Sequence, residues 1–230
     1  MSAAAEFSDE ITGKHIHRVN VYAETLARYM GLDEDRVRWL GQVAAIHDIG
    51  KVAIPHIIKL ERKLAAEERI EMEMHTIFGY QILQQMMDRH PVKEPRLVLA
   101  AALGLNHHQH WDGSGYPRVA DDTGAVHPLK SRNPADYEGL RPLHGTEIPI
   151  EALIVSLADK YDALRSVRQY KRGFTHEETL AILTEDDRTG KAGPDIFGPV
   201  VWEAFGDIQS RFDDIFEEMK DELVGAGMVS

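Results

Sequence analysis

The stretch of this chain best equipped for chemistry is Ala45-Ile46-His47-Asp48-Ile49-Gly50-Lys51. A neutral imidazole beside a carboxylate can grip one hard or borderline metal ion, and the second carboxylate oxygen can reach another. Gly50 is placed to stop a helix, and Lys51 sets a fixed positive charge close to any such metal. Alone, a His-Asp pair is more often a hydrogen-bonded pair at a helix end. The other ligand-type residues shift that balance. His15, His75, His107, His108 and Asp159 fall where helices are expected to begin, end or face inward. Each taken singly reads more readily as a buried, hydrogen-bonded polar group. Together with His47 and Asp48 they supply enough donors for two octahedral ions with open positions, if Asp48 bridges.

The elements that must position these donors are helical. Ile11, His15, Val19, Tyr22, Leu26 and Tyr29 recur at helical spacing, and Gly31 ends that helix. Asp33 reads as the cap of a second helix running through Val37, Leu40 and His47 to Gly50. A loop with Pro55 follows. The pattern then predicts one long helix from Ala66 to Arg89, with His75 at the edge of its buried face. Pro95 opens a very apolar helix that His107 and His108 finish. Two adjacent imidazoles at the end of such a helix need polar partners, either metal or carboxylates.

From Trp111 to Gly145 the chain is rich in Gly, Pro, Asp, Asn and Arg, without hydrophobic period. The part over about 118–145 reads as an insertion, either a lid or a passive surface loop. Helix returns from Ile148 to Arg165 and carries Asp159 between apolar neighbours. Thr175 to Glu178 is a capping box, and Pro199 to Val224 is a last amphipathic helix, packed on the core or used in a homodimer. No strand-like alternation is seen. The expectation is an all-α fold in one domain over 1–230, with its core at about 8–205.

Bulk properties narrow the function. The chain has 230 residues, a net charge of −12 and no cysteine. That charge argues against a nucleic acid polymer as partner. Any metal must be held by His and carboxylates, which leaves iron, manganese, zinc, nickel or magnesium. No secretory signal is visible, and the apolar run Leu97 to Leu105 is too short to span a bilayer. The expected location is cytoplasmic, with no membrane partner.

Six blocks in order carry a resemblance. They are Thr12-Gly13-Lys14-His15-Ile16-His17-Arg18-Val19, His47-Asp48-Ile49-Gly50-Lys51, and His75-Thr76-Ile77-Phe78-Gly79. They continue as His107-His108-Gln109-His110-Trp111-Asp112-Gly113-Ser114-Gly115-Tyr116-Pro117, then Ala158-Asp159-Lys160-Tyr161-Asp162-Ala163-Leu164, then Arg168-Gln169-Tyr170-Lys171. From about Ile11 to about Phe205 the chain resembles the HD-GYP domain, the bacterial metal-dependent phosphodiesterase branch of the HD superfamily. The resemblance implies an all-α fold, a cluster of two or three metals (often iron or manganese), and hydrolysis of cyclic di-GMP to pGpG and often on to GMP.

Carried over by position, it implies that His15, His47, Asp48 and Asp159 hold one metal. Asp48, His75, His107 and His108 would hold the second. Asp48 and Lys51 would be catalytic, with Lys51 at the scissile phosphate. Tyr116, Asp162, Arg168 and Lys171 would meet the substrate. His17 and His110 match no ligand position. A hydroxide bridging two metals would be the nucleophile, attacking phosphorus in line with the departing ribose oxygen. Lys51 or a metal-bound water would protonate the leaving group.

The chain departs from the family pattern in four places. Members with three metals carry a Glu four residues before the first ligand His, where this chain has Ile11. Two divalent ions are therefore expected, and neighbouring Glu10 is a poor substitute. The loop after Pro55 reads Leu60-Glu61-Arg62-Lys63-Leu64 and is about one residue short, while Leu153 stands where an Arg is usual. The insertion after Pro117 replaces a few residues. The altered loop and insertion motivate another cyclic dinucleotide, such as cyclic GMP-AMP, or another nucleotide as the alternative substrate. A binding module without turnover is the third reading, and a regulatory domain or protein outside this sequence is expected.

Overall fold

The computed structural model describes residues 13–60, 62–89, 94–166, 172–186 and 190–219. The fold is all-α. Helix α1 (Gly13–Tyr29) buries His15, Arg18, Val19, Tyr22, Ala23, Leu26 and Ala27 on one face. It ends where Gly31 adopts a φ of 72° and the Gly31 and Leu32 amides return to the Arg28 and Ala27 carbonyls. Asp33 then caps α2 (Glu34–Val43) by accepting from the Asp35 and Arg36 amides.

The expected continuation of α2 to Gly50 does not occur. From Ala44 to Ala53 the backbone tightens into a 3-10 helix. The Asn20 side chain accepts from the Ala45 amide at 2.9 Å, and the segment wedges between two later helices. Close approach sets its path. A β-carbon on Gly50 would collide with the His75 carbonyl, and one on Gly79 would lie 3.3 Å from the Gly50 nitrogen.

A short helix α3 (Pro55–Ile58) follows. The single long helix expected over 66–89 is in fact two, α4 (Ala66–Glu73) and α5 (His75–Asp88), parted at Met74. There the Met74 amide bonds to the Glu71 and Met72 carbonyls, and the His75 ring takes the Met72 carbonyl at 2.7 Å. Helix α6 (Pro95–Asn106) is the predicted apolar helix and stops just before the paired histidines.

Helix α7 (Ile150–Arg165) is the centre of the molecule. Its buried residues lie all round it, from Glu151 to Arg165, and Leu153 is core. Helix α8 (His176–Thr184) starts at the predicted box, with Thr175 accepting from the Glu178 amide and Glu178 accepting from the Thr175 amide. A two-residue antiparallel pair, β1 (Glu185–Asp186) with β2 (Lys191–Ala192), leads to α9 (Gly193–Phe197) and α10 (Pro199–Met219).

The apolar side of α10 lies on α1 and α7, where Phe212 stacks on Tyr22 at 4.6 Å and meets Tyr161 edge-on at 5.3 Å. Phe212 and Phe205 are fully or almost fully buried, so each is worth roughly 1.5–3 kcal/mol of apolar burial. This covers the face that the sequence offers to a core or a second copy.

The insertion is pinned down. Val119, Ala120, Leu129, Tyr137 and Leu143 are buried. The Gln81 amide on α5 donates to the Leu129 and Ser131 carbonyls at 3.1 and 2.8 Å. Arg141 donates to both Glu147 oxygens at 2.8 Å. Among the described residues no helix is long and apolar enough to cross a membrane.

Candidate metal centre

The seven expected ligands come from five places in the chain and converge. α1 brings His15, the 3-10 segment brings His47 and Asp48, and α5 opens on His75. The end of α6 brings His107 and His108, and α7 brings Asp159.

Four of the imidazoles are fixed in the same sense. His47 Nδ1 faces the Ala44 carbonyl at 2.8 Å, His75 Nδ1 the Met72 carbonyl at 2.7 Å, and His107 Nδ1 the Leu103 carbonyl at 3.1 Å. A carbonyl only accepts, so each Nδ1 carries a proton, and in the neutral ring each Nε2 presents a lone pair. His15 does the same with a carboxylate, donating from Nδ1 to Asp162 Oδ2 at 2.8 Å. Backbone and carboxylate partners of this kind orient metal-ligating histidines.

The exposed lone pairs meet in two groups. Asp48 Oδ1 is 3.3 Å from His75 Nε2 and 3.6 Å from His107 Nε2, and these two nitrogens are 3.3 Å apart. Donor atoms of Asp48, His75, His107 and His108 all lie within 4.8 Å of one another. On the other side, Asp48 Oδ2 is 3.4 Å from His47 Nε2, and Asp159 Oδ1 is 3.7 Å from both His47 and His15 Nε2. Asp48 thus belongs to both groups, one oxygen to each. Lys51 Nζ is 2.8 Å from its Oδ2.

This arrangement is unsatisfied as a purely organic cluster. His47 Nε2, Asp48 Oδ1 and Asp159 Oδ1 are buried without a hydrogen-bond partner. Two facing imidazole lone pairs repel unless a cation lies between them. Nitrogens each about 2.1 Å from one ion stand about 3 Å apart at a right angle, close to the spacing found here. The donor set therefore fits divalent metal.

The electrostatics agree. Burial pulls His107 down to about 4, and burial with the neighbouring rings holds His108 well below its usual value, so both stay neutral. Burial also opposes charge on His47, but Asp48 and Asp159 override it and hold the imidazole up at about 9. Negative charge in that half attracts a proton where a cation would serve. For Asp48, burial is outweighed by Lys51 and the histidines, and its carboxyl lies well below the ordinary range.

One expected role is corrected. Asp162, read as a substrate contact, is fully buried. It accepts from Arg18 Nε at 2.5 Å, Arg18 Nη2 at 2.9 Å and Ser166 at 3.2 Å besides His15. Its oxygens are taken up behind His15, so it orients that imidazole and is closed off from solvent. Arg18, which sequence reasoning passed over, anchors it. The signal was present: Arg18 lies three residues after His15 and Asp162 three after Asp159, each pair on one helical face.

Tyr116 stacks on the His108 ring at 4.6 Å and forms part of the site's wall. His110 bonds to Ser114 and His17 is exposed. Ile11, Glu10, Glu61, Arg168 and Lys171 lie outside the described residues.

The sequence model of the HD domain family matches residues 12–164. Over 223 residues the chain is 34% identical to a cyclic di-GMP phosphodiesterase of Thermotoga maritima, covering 96% of this chain and 51% of that protein. A cyclic di-GMP phosphodiesterase of Vibrio cholerae is also 34% identical, over 96% of this chain and 41% of that protein. A 3′3′-cGAMP-specific phosphodiesterase 2 of Vibrio cholerae is 33% identical, over 77% of this chain and 29% of that protein. The chain spans about half or less of these relatives. It belongs to the HD domain family. Its sequence motifs resemble those of the HD-GYP branch of that family.

Proposed function

We propose that this chain is a metal-dependent phosphodiesterase that hydrolyses cyclic di-GMP to pGpG, and on to GMP, at two divalent ions. One observation carries the reading. Seven donors form two groups that share Asp48, with three orphaned buried polar atoms turned inward. His15, His47, Asp48 and Asp159 would hold one ion, and Asp48, His75, His107 and His108 the other. Nitrogen and carboxylate donors suit iron or manganese, with zinc, nickel or magnesium as competitors.

The ions, when bound, would make water a nucleophile near neutral pH and offset phosphoryl charge. The chain's own residues do the rest. Lys51, held at Asp48, would meet the negative charge that grows on the phosphoryl oxygens, and Lys51 or a bound water would protonate the leaving alkoxide. Asp162 and Arg18 fix His15 so that its Nε2 stays aimed at the centre. Tyr116 closes one wall of the site, while Arg168 and Lys171 are assigned to the substrate's phosphates or bases. We keep one domain over 1–230, a cytoplasmic setting and a regulatory domain or protein acting on it as parts of this reading.

A second substrate is favoured by a specific observation, since two relatives of this chain at 33% and 31% identity are named as 3′3′-cGAMP-specific. The test is turnover of both cyclic dinucleotides by protein purified without oxygen, with metal content measured on the same sample. About two ions per chain and hydrolysis lost in Asp48→Ala would support the reading. Three ions would overturn the expectation drawn from Ile11. Bound metal without turnover of either substrate would overturn the assigned reaction.

A further inference from the structure

Beside the metal centre, α4 and α5 face the insertion across a cavity of about 300 Å³. That is the size at which small-molecule sites begin. Its walls are apolar and partly flat, from Ile77, Pro117, Pro134 and Tyr137. Three charged residues line it: Glu73 from the end of α4, Arg118 from the start of the insertion, and the exposed Glu138 at its rim. Glu73 is half-buried, yet its carboxylate makes no hydrogen bond or ion pair among the described residues. A half-buried carboxylate against apolar walls, without a donor, is a costly arrangement unless a ligand brings the donor.

The cavity's lining adjoins the centre along the chain. Glu73 stands two residues before His75, and Pro117 follows Tyr116, the ring that stacks on His108.

We propose that this cavity is a guanine subsite, in which Glu73 accepts from the adjacent N1–H and N2–H of the base and Arg118 donates to its O6 and N7. An ionised carboxylate only accepts and a guanidinium only donates, so the pair matches guanine's two edges. Adenine reverses the pattern, placing an acceptor at N1 and a donor amine where guanine has O6. Tyr137 and the prolines supply the flat apolar surface a base face needs. The subsite deepens the phosphodiesterase reading and rests on it for its substrate. It makes the insertion part of the binding surface.

The test is binding of GMP and AMP, by calorimetry, to the metal-loaded full chain. The two share ribose and phosphate, so the hold of the ions on phosphate cancels. GMP should bind about 10- to 100-fold more tightly than AMP. Glu73→Gln should weaken GMP alone and remove the preference. Ala135→Trp, which fills the cavity from its exposed rim, should weaken GMP and raise the KM for cyclic di-GMP with kcat little changed. Circular dichroism and melting establish that both variants fold.

Equal affinities in the unmodified chain, or a preference that survives Glu73→Gln, would overturn the subsite. Turnover of cyclic di-GMP with kcat/KM unchanged in Glu73→Gln would overturn it too and leave the phosphodiesterase reading standing. A guanine preference that depends on Glu73, without turnover of any cyclic dinucleotide, would support the base subsite and overturn the reaction.

Discussion

Gly50→Ala is the smallest change that should dismantle this site without touching a ligand. A β-carbon at residue 50 would lie 2.5 Å from the Gly79 nitrogen and 2.8 Å from the His75 carbonyl carbon, where ordinary contact begins at 3.4 Å. All of these atoms are backbone, so no side chain can swing away. The His75 carbonyl oxygen is nearer still, so the 3-10 segment and the start of α5 must part by more than about 1 Å. That parting acts on the 3.3 Å separation of Asp48 Oδ1 and His75 Nε2, because the two residues sit on opposite sides of the gap. Overpacking of this kind costs about 2–4 kcal/mol, which lowers the melting temperature by roughly 5–15 °C in a chain of this size. The Asp48/His75/His107/His108 group loses its bite, so affinity for the ion there should fall at least about 10-fold.

The assay has two arms. Urea unfolding in excess chelator reads the stability loss of the metal-free protein. Competition with a chromophoric chelator reads the affinity of each ion. Full metal content at unchanged affinity, with less than about 1 kcal/mol of destabilisation, would refute the close-approach argument.

Asp162→Asn keeps the size of the side chain but takes the negative charge from between His15 and Arg18. Affinity at the His15/His47/Asp159 half should drop about 10- to 100-fold while the other ion is retained, as read by metal titration. His47 gives the metal-free protein a pH signature. Its folded value is raised to about 9 against an ordinary 6.5, despite burial, by Asp48 and Asp159. The stability from this pairing is full below pH 6.5 and is lost as pH rises through 9, so a chelated sample should melt progressively lower across that window. Loading with metal should abolish the slope; an identical slope in both samples would sink the assignment of His47 as a ligand. Glu147 holds the insertion through Arg141 and the His144 amide, which depress its carboxyl to about 2. Glu147→Gln should speed proteolysis of the insertion above pH 4.5, and the difference from the unmodified chain should shrink as pH falls towards 2.

The donors of this site were legible in the chain itself because their pattern is local. Helical period placed His15 on the buried face of α1, and the end of an apolar run placed His107 and His108 at the stop of α6. Capping chemistry located Asp33, Thr175 and Glu178, since a cap depends on atoms within a few residues. The order of six motifs carried the family and its all-α fold. Contacts between distant segments decided the remainder. The 3-10 turn that presents Asp48 to both groups exists because Gly50 meets the His75 backbone, a neighbour remote in sequence. The break at Met74 comes from the same packing, and intrinsic propensity favours one unbroken helix there. Asp159 and Asp162 share one face of α7 and are chemically alike. Only the approach of Arg18 from α1 turns one inward to the metal centre and buries the other behind His15. The insertion shows no period because it is folded by bridges of Ala120 to Val126 and Arg141 and of Tyr137 to Ser131, while Gln81, far earlier in the chain, holds it in place.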